Sequence, residues 1–309
     1  MMNPNASSAS KPTFKAVASK QTGSKIGRML KPYLFILPCV VLVLLFNYYP
    51  FVKTMVLGFT LVDMLGNPVE FVGLENFVEA FQDERLLRAL LNTLQFTVLT
   101  VPATLLITLT LALLAEKARK GSRIYQVMFA LPMAVSMSSA VMIFQLLMNP
   151  TIGMFNYITG LGLNWFGDEK YALTGIAIIS VWMSIGFSFL FLLAALRNVP
   201  QELLESAEME GSSYIQKLIR IKLPLISPTL FFLLCTDLIG SLLVFGPVSI
   251  LTKGGPLGAT ETMVYWMYTE AFEKGKYGYG SAIAVIIFFI VMIFTLITFA
   301  YEKKGVHYT

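Results

Sequence analysis

Six long apolar stretches constrain this chain more than any other feature of its sequence. They lie at residues 33–56, 90–115, 125–148, 173–196, 229–251 and 281–301. Each has about the length at which an α-helix crosses roughly 30 Å of hydrocarbon. Backbone polar groups in lipid must bond within their own segment, so continuous apolar runs predict helices rather than open strands. The sequence therefore predicts an all-α, polytopic integral membrane protein with six transmembrane helices.

The composition is also that of a membrane protein, and its few cysteine and histidine residues restrict the metal sites and disulfides that the chain could form. Hydrophobic residues make up 56% of the chain and charged residues only 13%, whereas soluble domains carry about a quarter. The two cysteines, Cys39 and Cys235, both fall inside apolar stretches and are interpreted as packing residues rather than a disulfide. The one histidine, His307, has no partners for a nitrogen or sulfur metal site, so we expect no bound metal.

The distribution of positive charge predicts the orientation. Most of the 23 Lys and Arg residues fall on the side of the six-span arrangement that holds both termini. An excess of Lys and Arg marks the cytoplasmic side, so both termini are expected there. No basic patch interleaved with aromatic residues accompanies the charge, so no nucleic-acid partner is expected. The first apolar stretch lacks a small-residue cleavage site and is expected to remain as a span.

Two segments between the spans carry local signals. Gly254-Gly255-Pro256 indicates a turn, and Met263 to Phe272 is compatible with a helix at the membrane interface. That helix could pack on the bundle as a lid, or it could dock a partner; the sequence favours neither role.

The cytoplasmic segment 198–224 is more informative. Pro200 suits a helix start, Gly211 divides an apolar stripe into two short helices, and Ser213 with Gln216 forms a possible capping box.

Periodicity leaves two interpretations of segment 198–224. The apolar positions recur at steps of three and four residues: Leu204, Ala207, Gly211, Ile215 and Leu218. Such a stripe suits insertion into a groove on a partner, but it equally suits a surface loop lying against the helical bundle.

The same segment resembles the EAA loop of binding-protein-dependent ABC importer permeases. The matching positions, at the family's spacing, are Glu205, Ser206, Ala207, Gly211, Ile221, Leu223 and Pro224. Ser206 and Ser212 replace the usual alanines, and Glu210 replaces the usual aspartate, so the side chains stay small or acidic. The resemblance implies that residues 198–224 form coupling helices seated in the clefts of ATPase subunits.

Further stretches resemble the carbohydrate-uptake branch, the maltose-type and glycerol-3-phosphate-type permeases. They are residues 71–77, Asn92-Thr93, the Gly254-Gly255-Pro256 turn and residues 277–282. The resemblance implies a type I ABC importer permease fold in the cytoplasmic membrane of a prokaryote. We expect a disordered basic tail at 1–30, a first helix and outer loop at 31–87, the permease core at 88–301 and a cytoplasmic tail at 302–309.

The resemblance also implies partners. They are a second homologous permease, two cytoplasmic ATPases, an extracytoplasmic solute-binding protein and a sugar as the transported solute. The chain has no G-x-x-x-x-G-K-[ST] phosphate loop. We therefore expect no enzymatic activity and no cofactor on this chain, with ATP-Mg held by the ATPase subunits.

Polar groups inside spans are costly and mark candidate pathway residues. Asp237 is the clear carboxylate within a span; it suits a tie between helices or the binding of a hydroxylated solute. Trp182 offers a ring face for a sugar or simply packs, and Gly186-Phe187 matches a motif near the pathway of the sugar branch. The remaining candidates are Gly240, Ser241, Phe245, Gln145 and Asn149.

Other functions stay open from the sequence alone. The solute could be a sugar phosphate or a polyol. A secondary transporter would show an inverted repeat and intramembrane ion-coupling groups, which are not evident. A membrane enzyme would show G-x-S-x-G or H-E-x-x-H, and neither occurs. A purely structural subunit would leave the loop at 198–224 without a role.

Overall fold

The structure, a computed structural model, describes residues 25–116 and 122–305, with side chains from 32 to 116 and from 123 to 302. Most of the tail expected at 1–30, residues 117–121 and residues 306–309 with His307 lie outside the described residues. Helix α1 begins at Lys25, inside the segment expected to be a disordered tail. The last helix continues to Gly305, inside the segment expected to be the C-terminal tail.

Helices dominate the described chain. They are α1 (Lys25–Val43), α2 (Tyr49–Gly58), α3 (Glu75–Gln82), α4 (Glu84–Ala115), α5 (Ser122–Ala130), α6 (Met137–Leu147), α7 (Met154–Thr159), α8 (Glu169–Arg197), α9 (Gln201–Met209), α10 (Tyr214–Lys217), α11 (Leu223–Leu242), α12 (Met263–Tyr268) and α13 (Tyr277–Gly305). Wider π-type turns cover Leu44–Tyr48, Leu218–Lys222, Val248–Thr252 and Thr269–Glu273, and a 3-10 turn covers Leu131–Ala134. Two short antiparallel strands, β1 (Thr60–Val62) and β2 (Pro68–Phe71), form a hairpin. The chain divides into two compact units, residues 1–52 and residues 53–309.

Five helical segments are long and apolar enough to cross a membrane. They are Pro32–Gly58, Glu84–Ala115, Glu169–Arg197, Tyr214–Leu242 and Tyr277–Glu302, and a bent pair of helices brings the number to six. Five of the six expected apolar spans are therefore present as long helices, and the sixth is present if the bent pair counts as one span. Four of them extend a few residues beyond the ends expected from hydropathy, because the helices continue into their polar flanks.

The third expected span, 125–148, is not one continuous helix. Its two halves, Arg123–Ala134 and Met137–Leu147, meet at an angle of 108°. Pro132 sits in the 3-10 turn between them, where it removes a backbone donor, and the Ser136 hydroxyl caps α6 by accepting from Ser139 N–H. The prediction of a single helix here was wrong, because the apolar run concealed these two local signals.

The fifth span is displaced towards the N-terminus relative to the expected 229–251. The helix runs from Tyr214 to Leu242 and then leaves helical geometry. Pro247 has no N–H to bond the Leu243 carbonyl, so the helix does not continue through this position. Pro224 and Pro228 both lie inside α11. The π-type turn at Leu218–Lys222 joins α10 to α11 without a break.

Helices α4, α8 and α11 pack together in the larger unit. At one end of these helices an apolar cluster includes Ala112, Phe189, Leu196, Leu204 and Ile226. At the other end a second cluster joins α4 to α12 and α13 through Leu86, Ala89, Met263, Trp266 and Ile283. This three-helix arrangement determines where polar side chains of separate spans can meet.

Candidate functional sites: a polar cavity and an exposed helical loop

A cavity of about 350 Å³ lies among α4, α8, α11 and the chain just after α11. Four of the predicted pathway residues line it: Asp237, Gly240, Ser241 and Phe245. The other lining residues are Phe96, Thr100, Val101, Thr104, Met137, Ser180, Met183, Ser184, Thr236, Leu243, Val244, Gly246 and Pro247. The wall thus combines hydroxyl groups, a carboxylate and apolar side chains, a composition typical of a small-molecule site.

Two of the six hydroxyl-bearing residues on the cavity wall, Thr100 and Thr104, belong to a row of threonines on α4. Thr93, Thr97, Thr100, Thr104 and Thr108 are all buried and recur at steps of three or four residues. Four of the five hydroxyls donate to the carbonyl four residues earlier, at 2.6–2.9 Å. That local bond satisfies each of these four donors within α4 itself, so the hydroxyls can lie in an apolar span. The sequence analysis did not identify this row, although its spacing in an otherwise apolar helix was a usable signal.

Ser241 connects this row to α11. Its Oγ lies 3.1 Å from Thr97 Oγ1 and 2.9 Å from the Leu238 carbonyl oxygen, and its side chain is buried. The close approach of the two hydroxyls holds α4 and α11 at a fixed distance on one side of the cavity. Gly240, in contrast, has nothing within 4 Å of an added Cβ and leaves the cavity open there.

Two polar groups on the cavity wall lack hydrogen-bond partners among the described residues. They are Asp237 Oδ2 and Ser180 Oγ, each with almost no solvent-accessible area. Buried polar groups in native proteins are nearly always bonded, so an unpartnered pair on one cavity marks demand for a polar ligand or water. The alternative role of Asp237 as a tie between helices has no partner for Oδ2 in the described part of the chain.

Phe245 supplies an aromatic part of the same wall. Its ring lies 6.3 Å from Tyr265 at an interplanar angle of 29° and 5.0 Å from Tyr268. These contacts hold the ring in one orientation on the cavity wall. Carbohydrate C–H faces pack on such rings, and aromatic surfaces of this kind contribute strongly to small-molecule sites.

The other five predicted pathway residues do not line this cavity. Trp182 packs against Phe144 with ring centroids 5.4 Å apart, and Phe187 packs against Phe191 at 4.5 Å. An added Cβ on Gly186 would lie 2.6 Å from Met133 N, so this glycine lets α8 approach the break in the third span.

Gln145 and Asn149 complete that set. Gln145 is exposed on α6. Asn149 Oδ1 accepts bonds from Thr151 N, Thr151 Oγ1 and Ile152 N at 2.8–3.2 Å and so shapes the turn after α6. In this structure its contacts are those of a turn residue.

The loop between α8 and α11 has the two helices expected of it. Gly211 adopts φ +75°, a left-handed conformation that glycine reaches without strain, and it separates α9 from α10. The Ser213 hydroxyl accepts from Gln216 N–H while the Gln216 side chain accepts from Ser213 N–H, so the predicted capping box is confirmed. Pro200 lies at the position immediately before α9, as expected for a helix start.

The expected apolar stripe divides between two faces. Leu204 and Ala207 are buried, Leu204 within the cluster formed with α4, α8 and α11. Ile221 and Leu223 pack against the same cluster. Glu205, Ser206 and Gly211 are exposed. The apolar side chains left exposed on the loop are Leu203, Met209, Ile215 and Ile219, with Met209 90% exposed. Part of the stripe therefore anchors the loop, and a different set of side chains is free to contact a partner.

Charged groups also fix the loop to the bundle. Lys222, only 4% exposed, donates to Glu116 at the end of α4, and Lys217 pairs with Glu208 between α10 and α9. Glu205 and Arg197 line the same cavity of about 580 Å³ as the Lys222–Glu116 pair. The loop is held as a rigid projection rather than a loose connection.

At the opposite end of the helices, Asp83 joins three elements. Its Oδ2 accepts from Tyr279 Oη at 2.7 Å and from Trp266 Nε1 at 3.1 Å, and its Oδ1 accepts from Arg85 N–H at 2.9 Å. Burial raises the pKa of Asp83, but these hydrogen bonds outweigh burial and hold its pKa below the usual value of 3.8. Met263, Tyr265 and Trp266 are buried here, so this face of the 263–272 segment packs on its own bundle, whereas Phe272 is 64% exposed.

Comparisons with known proteins agree with this architecture. Residues 109–304 match the family described as binding-protein-dependent transport system inner membrane component. The sn-glycerol-3-phosphate transport system permease protein UgpA of Salmonella typhimurium is 34% identical over 281 residues, covering 90% of this chain and 95% of that protein. UgpA of Escherichia coli strain UTI89 is 33% identical over the same length and coverage.

Among solved structures, the fold is similar to a chain of a bacterial alginate ABC transporter in complex with an alginate pentasaccharide-bound periplasmic protein. The TM-score is 0.77 at 23% identity, and the match covers 90% of this chain and 96% of that chain. At this identity the likeness is one of fold. It agrees with the type I permease architecture expected from the sequence.

Proposed function

The chain belongs to the family of inner-membrane components of binding-protein-dependent transport systems, and on that premise we propose that it forms half of the solute pathway of an ATP-driven sugar importer. The other half of the pathway comes from a second homologous permease. Two cytoplasmic ATPase subunits carry ATP-Mg, and an extracytoplasmic solute-binding protein delivers the sugar. The relatives named for glycerol 3-phosphate make a sugar phosphate or a polyol the second candidate solute.

One structural observation carries this proposal: the cavity and the loop share two helices. Helix α4 supplies the cavity hydroxyls of Thr100 and Thr104 and ends at Glu116. Helix α11 supplies Asp237 and Ser241 and begins directly after Lys222, the partner of Glu116. A displacement of the loop is therefore transmitted along both helices to the cavity walls, since helices and packed cores deform little.

The predicted orientation assigns roles to the two ends. With Lys and Arg concentrated on the cytoplasmic side, the loop between α8 and α11 faces the cytoplasm, where ATPase subunits lie. Glu205, Ser206 and Gly211, together with exposed Met209 and Ile215, form the surface that we assign to the ATPase cleft. Closure of the ATPases on ATP then moves this projection and converts an inward-facing cavity to an outward-facing one. Hydrolysis itself takes place on the partner subunits, because this chain carries no phosphate loop.

Reconstitution of the whole complex tests the proposal. The ATPase rate is measured in proteoliposomes with and without sugar-loaded binding protein, for the wild type and for Glu205→Ala and Gly211→Trp. We expect stimulation in the wild type, a reduced response in Glu205→Ala and a fall to the basal rate in Gly211→Trp, because the indole would obstruct the docking surface.

Gly160→Trp is the matched control. Gly160 has φ +68° and, like Gly211, nothing within 4 Å of an added Cβ, but it ends α7 on the predicted outer side. Its variant carries the same backbone strain and bulk, and we expect it to keep the wild-type response. Equal stimulation in Gly211→Trp and Gly160→Trp would contradict the coupling role, and a complex that copurifies with no ATPase would contradict the importer itself.

A further inference from the structure

The charge balance of the transmembrane cavity is uneven. Asp237 is an acidic residue, and none of the residues that line the cavity, all of them in the described part of the chain, is Lys, Arg or His. The ion pairs of the described residues lie at the helix ends instead, as in Lys222–Glu116 and Lys274–Glu270. The carboxylate of Asp237 therefore has no cation beside it among the residues that line this cavity.

A carboxylate that lies inside a span without a neighbouring cation restricts the chemical groups that a solute can bring close to it. Asp237 Oδ2 is buried with no donor among the described residues, so a solute that bonds this carboxylate must offer O–H or N–H groups to it. A phosphate or carboxylate group within about 4–6 Å would be repelled, because the surroundings screen charge poorly. A built anion site uses Arg, Lys or helix N-terminal amides, and the side chains of this cavity supply no such cation.

The remaining wall favours a neutral solute rich in hydroxyl groups. Ser180 Oγ is a second unpartnered group and can both donate and accept. Phe245 offers an apolar face on the same cavity. A sugar or polyol matches this set, since its hydroxyls both donate and accept and its C–H faces pack on an aromatic ring.

We infer that Asp237 makes this cavity selective for uncharged polyhydroxylated solutes and excludes anionic ones such as phosphate esters. The inference deepens the proposed function and rests on it. It separates this chain from relatives whose names specify sn-glycerol 3-phosphate, because a permease passing that anion through this cavity would bring two negative charges together. Asp237 is thus assigned as a specificity-determining residue of the pathway.

Direct binding to the complex, without the binding protein, tests the inference. Saturation-transfer NMR on the complex in nanodiscs detects weak binding of glucose, sucrose, maltose and sorbitol, and of glucose 6-phosphate and glycerol 3-phosphate as anionic probes. We expect at least one uncharged probe to bind and the anionic probes to bind about tenfold more weakly or not at all, equal to about 1.4 kcal/mol. Asp237→Asn should reduce that discrimination to less than about threefold, whereas Asp237→Glu, which keeps the carboxylate, should retain it.

Several outcomes overturn the inference. They are tighter binding of either phosphate ester than of every uncharged probe, undiminished discrimination in Asp237→Asn, and no binding of any uncharged probe. The yield of assembled complex and its basal ATPase rate show whether each variant is folded. Stimulation of the ATPase by binding protein is scored separately, so a failed inference with intact stimulation leaves the importer standing, and loss of stimulation in the wild type refutes the proposed function.

Discussion

The Lys222 ammonium lies 2.5 Å from Glu116 Oε1 and 2.7 Å from Glu116 Oε2, with both side chains nearly excluded from solvent. The pair joins the end of α4 to the start of α11 across 106 positions of sequence. Lys222 also lies 5.6 Å from the centre of the Tyr214 ring in α10. The buried charge of Lys222 therefore links α4, α10 and the start of α11.

Breaking this pair from one side should be costly. Lys222→Met leaves the Glu116 carboxylate buried without its cation, and removal of one partner of a buried pair typically costs about 3–5 kcal/mol. We expect the lower stability to appear as an earlier midpoint in SDS-induced unfolding. The double variant Lys222→Met with Glu116→Leu removes both charges and should recover most of the loss; a double variant less stable than either single one would contradict this account.

The contact between α8 and the broken third span predicts a contrast between two glycines. Gly186→Ala puts a Cβ 2.6 Å from Met133 N and 3.1 Å from the Ala130 carbonyl oxygen. Overpacking of this kind costs about 1–3 kcal/mol. Gly240→Ala is the control, because nothing lies within 4 Å of its Cβ, and the higher helix propensity of alanine should stabilise it by up to about 1 kcal/mol. SDS-induced unfolding measures both, and equal effects would contradict the packing described.

Among the described residues, the Thr93 hydroxyl is the one in the threonine row of α4 that bonds a backbone N–H of another helix. Its Oγ1 accepts from Met263 N–H at 3.0 Å, inside the protein. Thr93→Val keeps the shape but leaves that N–H unsatisfied, at a cost of about 1–3 kcal/mol. Thr110→Val is the control: among the described residues that hydroxyl bonds only Leu106 O, on an exposed face, and the variant should change stability by less than about 0.5 kcal/mol. If Thr93→Val were as stable as the wild type, the bond to Met263 N–H would contribute nothing to stability.

Acid should weaken the cluster around Asp83. Its pKa is held below 3.8, so the ionised form stabilises the fold at higher pH, and this contribution is lost as pH falls below about 4. The difference in melting temperature between the wild type and Asp83→Ala should therefore be constant above about pH 5 and shrink in more acid solution. Tyr279→Phe removes one of the bonds to Asp83 and should move that loss to higher pH. A difference that grows on acidification would contradict the prediction.

Some features were predictable because they depend on neighbours in the sequence. The six apolar spans follow from the length of hydrocarbon that each helix must cross. The capping box involves Ser213 and Gln216, three residues apart, and the position of Gly211 between two helices follows from backbone geometry that glycine reaches most easily. The spacing of the loop motif was likewise sufficient to indicate the family.

The broken third span shows where such local prediction failed although a signal was present. Pro132 and the Ser136 cap were visible, but a continuous apolar run outweighed them. Asp237, Gly240, Ser241 and Phe245 were chosen as pathway candidates from residue type and span, and the structure places all four on one cavity. The same reasoning selected Trp182 and Gly186, which pack between helices instead.

The amino-acid sequence alone determined where the apolar segments lie, the two-helix loop and the kinds of side chain that the membrane helices carry. It did not determine which polar groups meet, since Ser241 contacts Thr97 across 144 positions and Lys222 contacts Glu116 across 106. Such contacts depend on how α4, α8 and α11 rotate about their axes when their apolar surfaces pack, and periodicity within one helix carries no information about its neighbour's rotation. Helix packing is what placed Asp237 and Ser180 on a shared cavity and left their buried polar atoms without partners in the described chain.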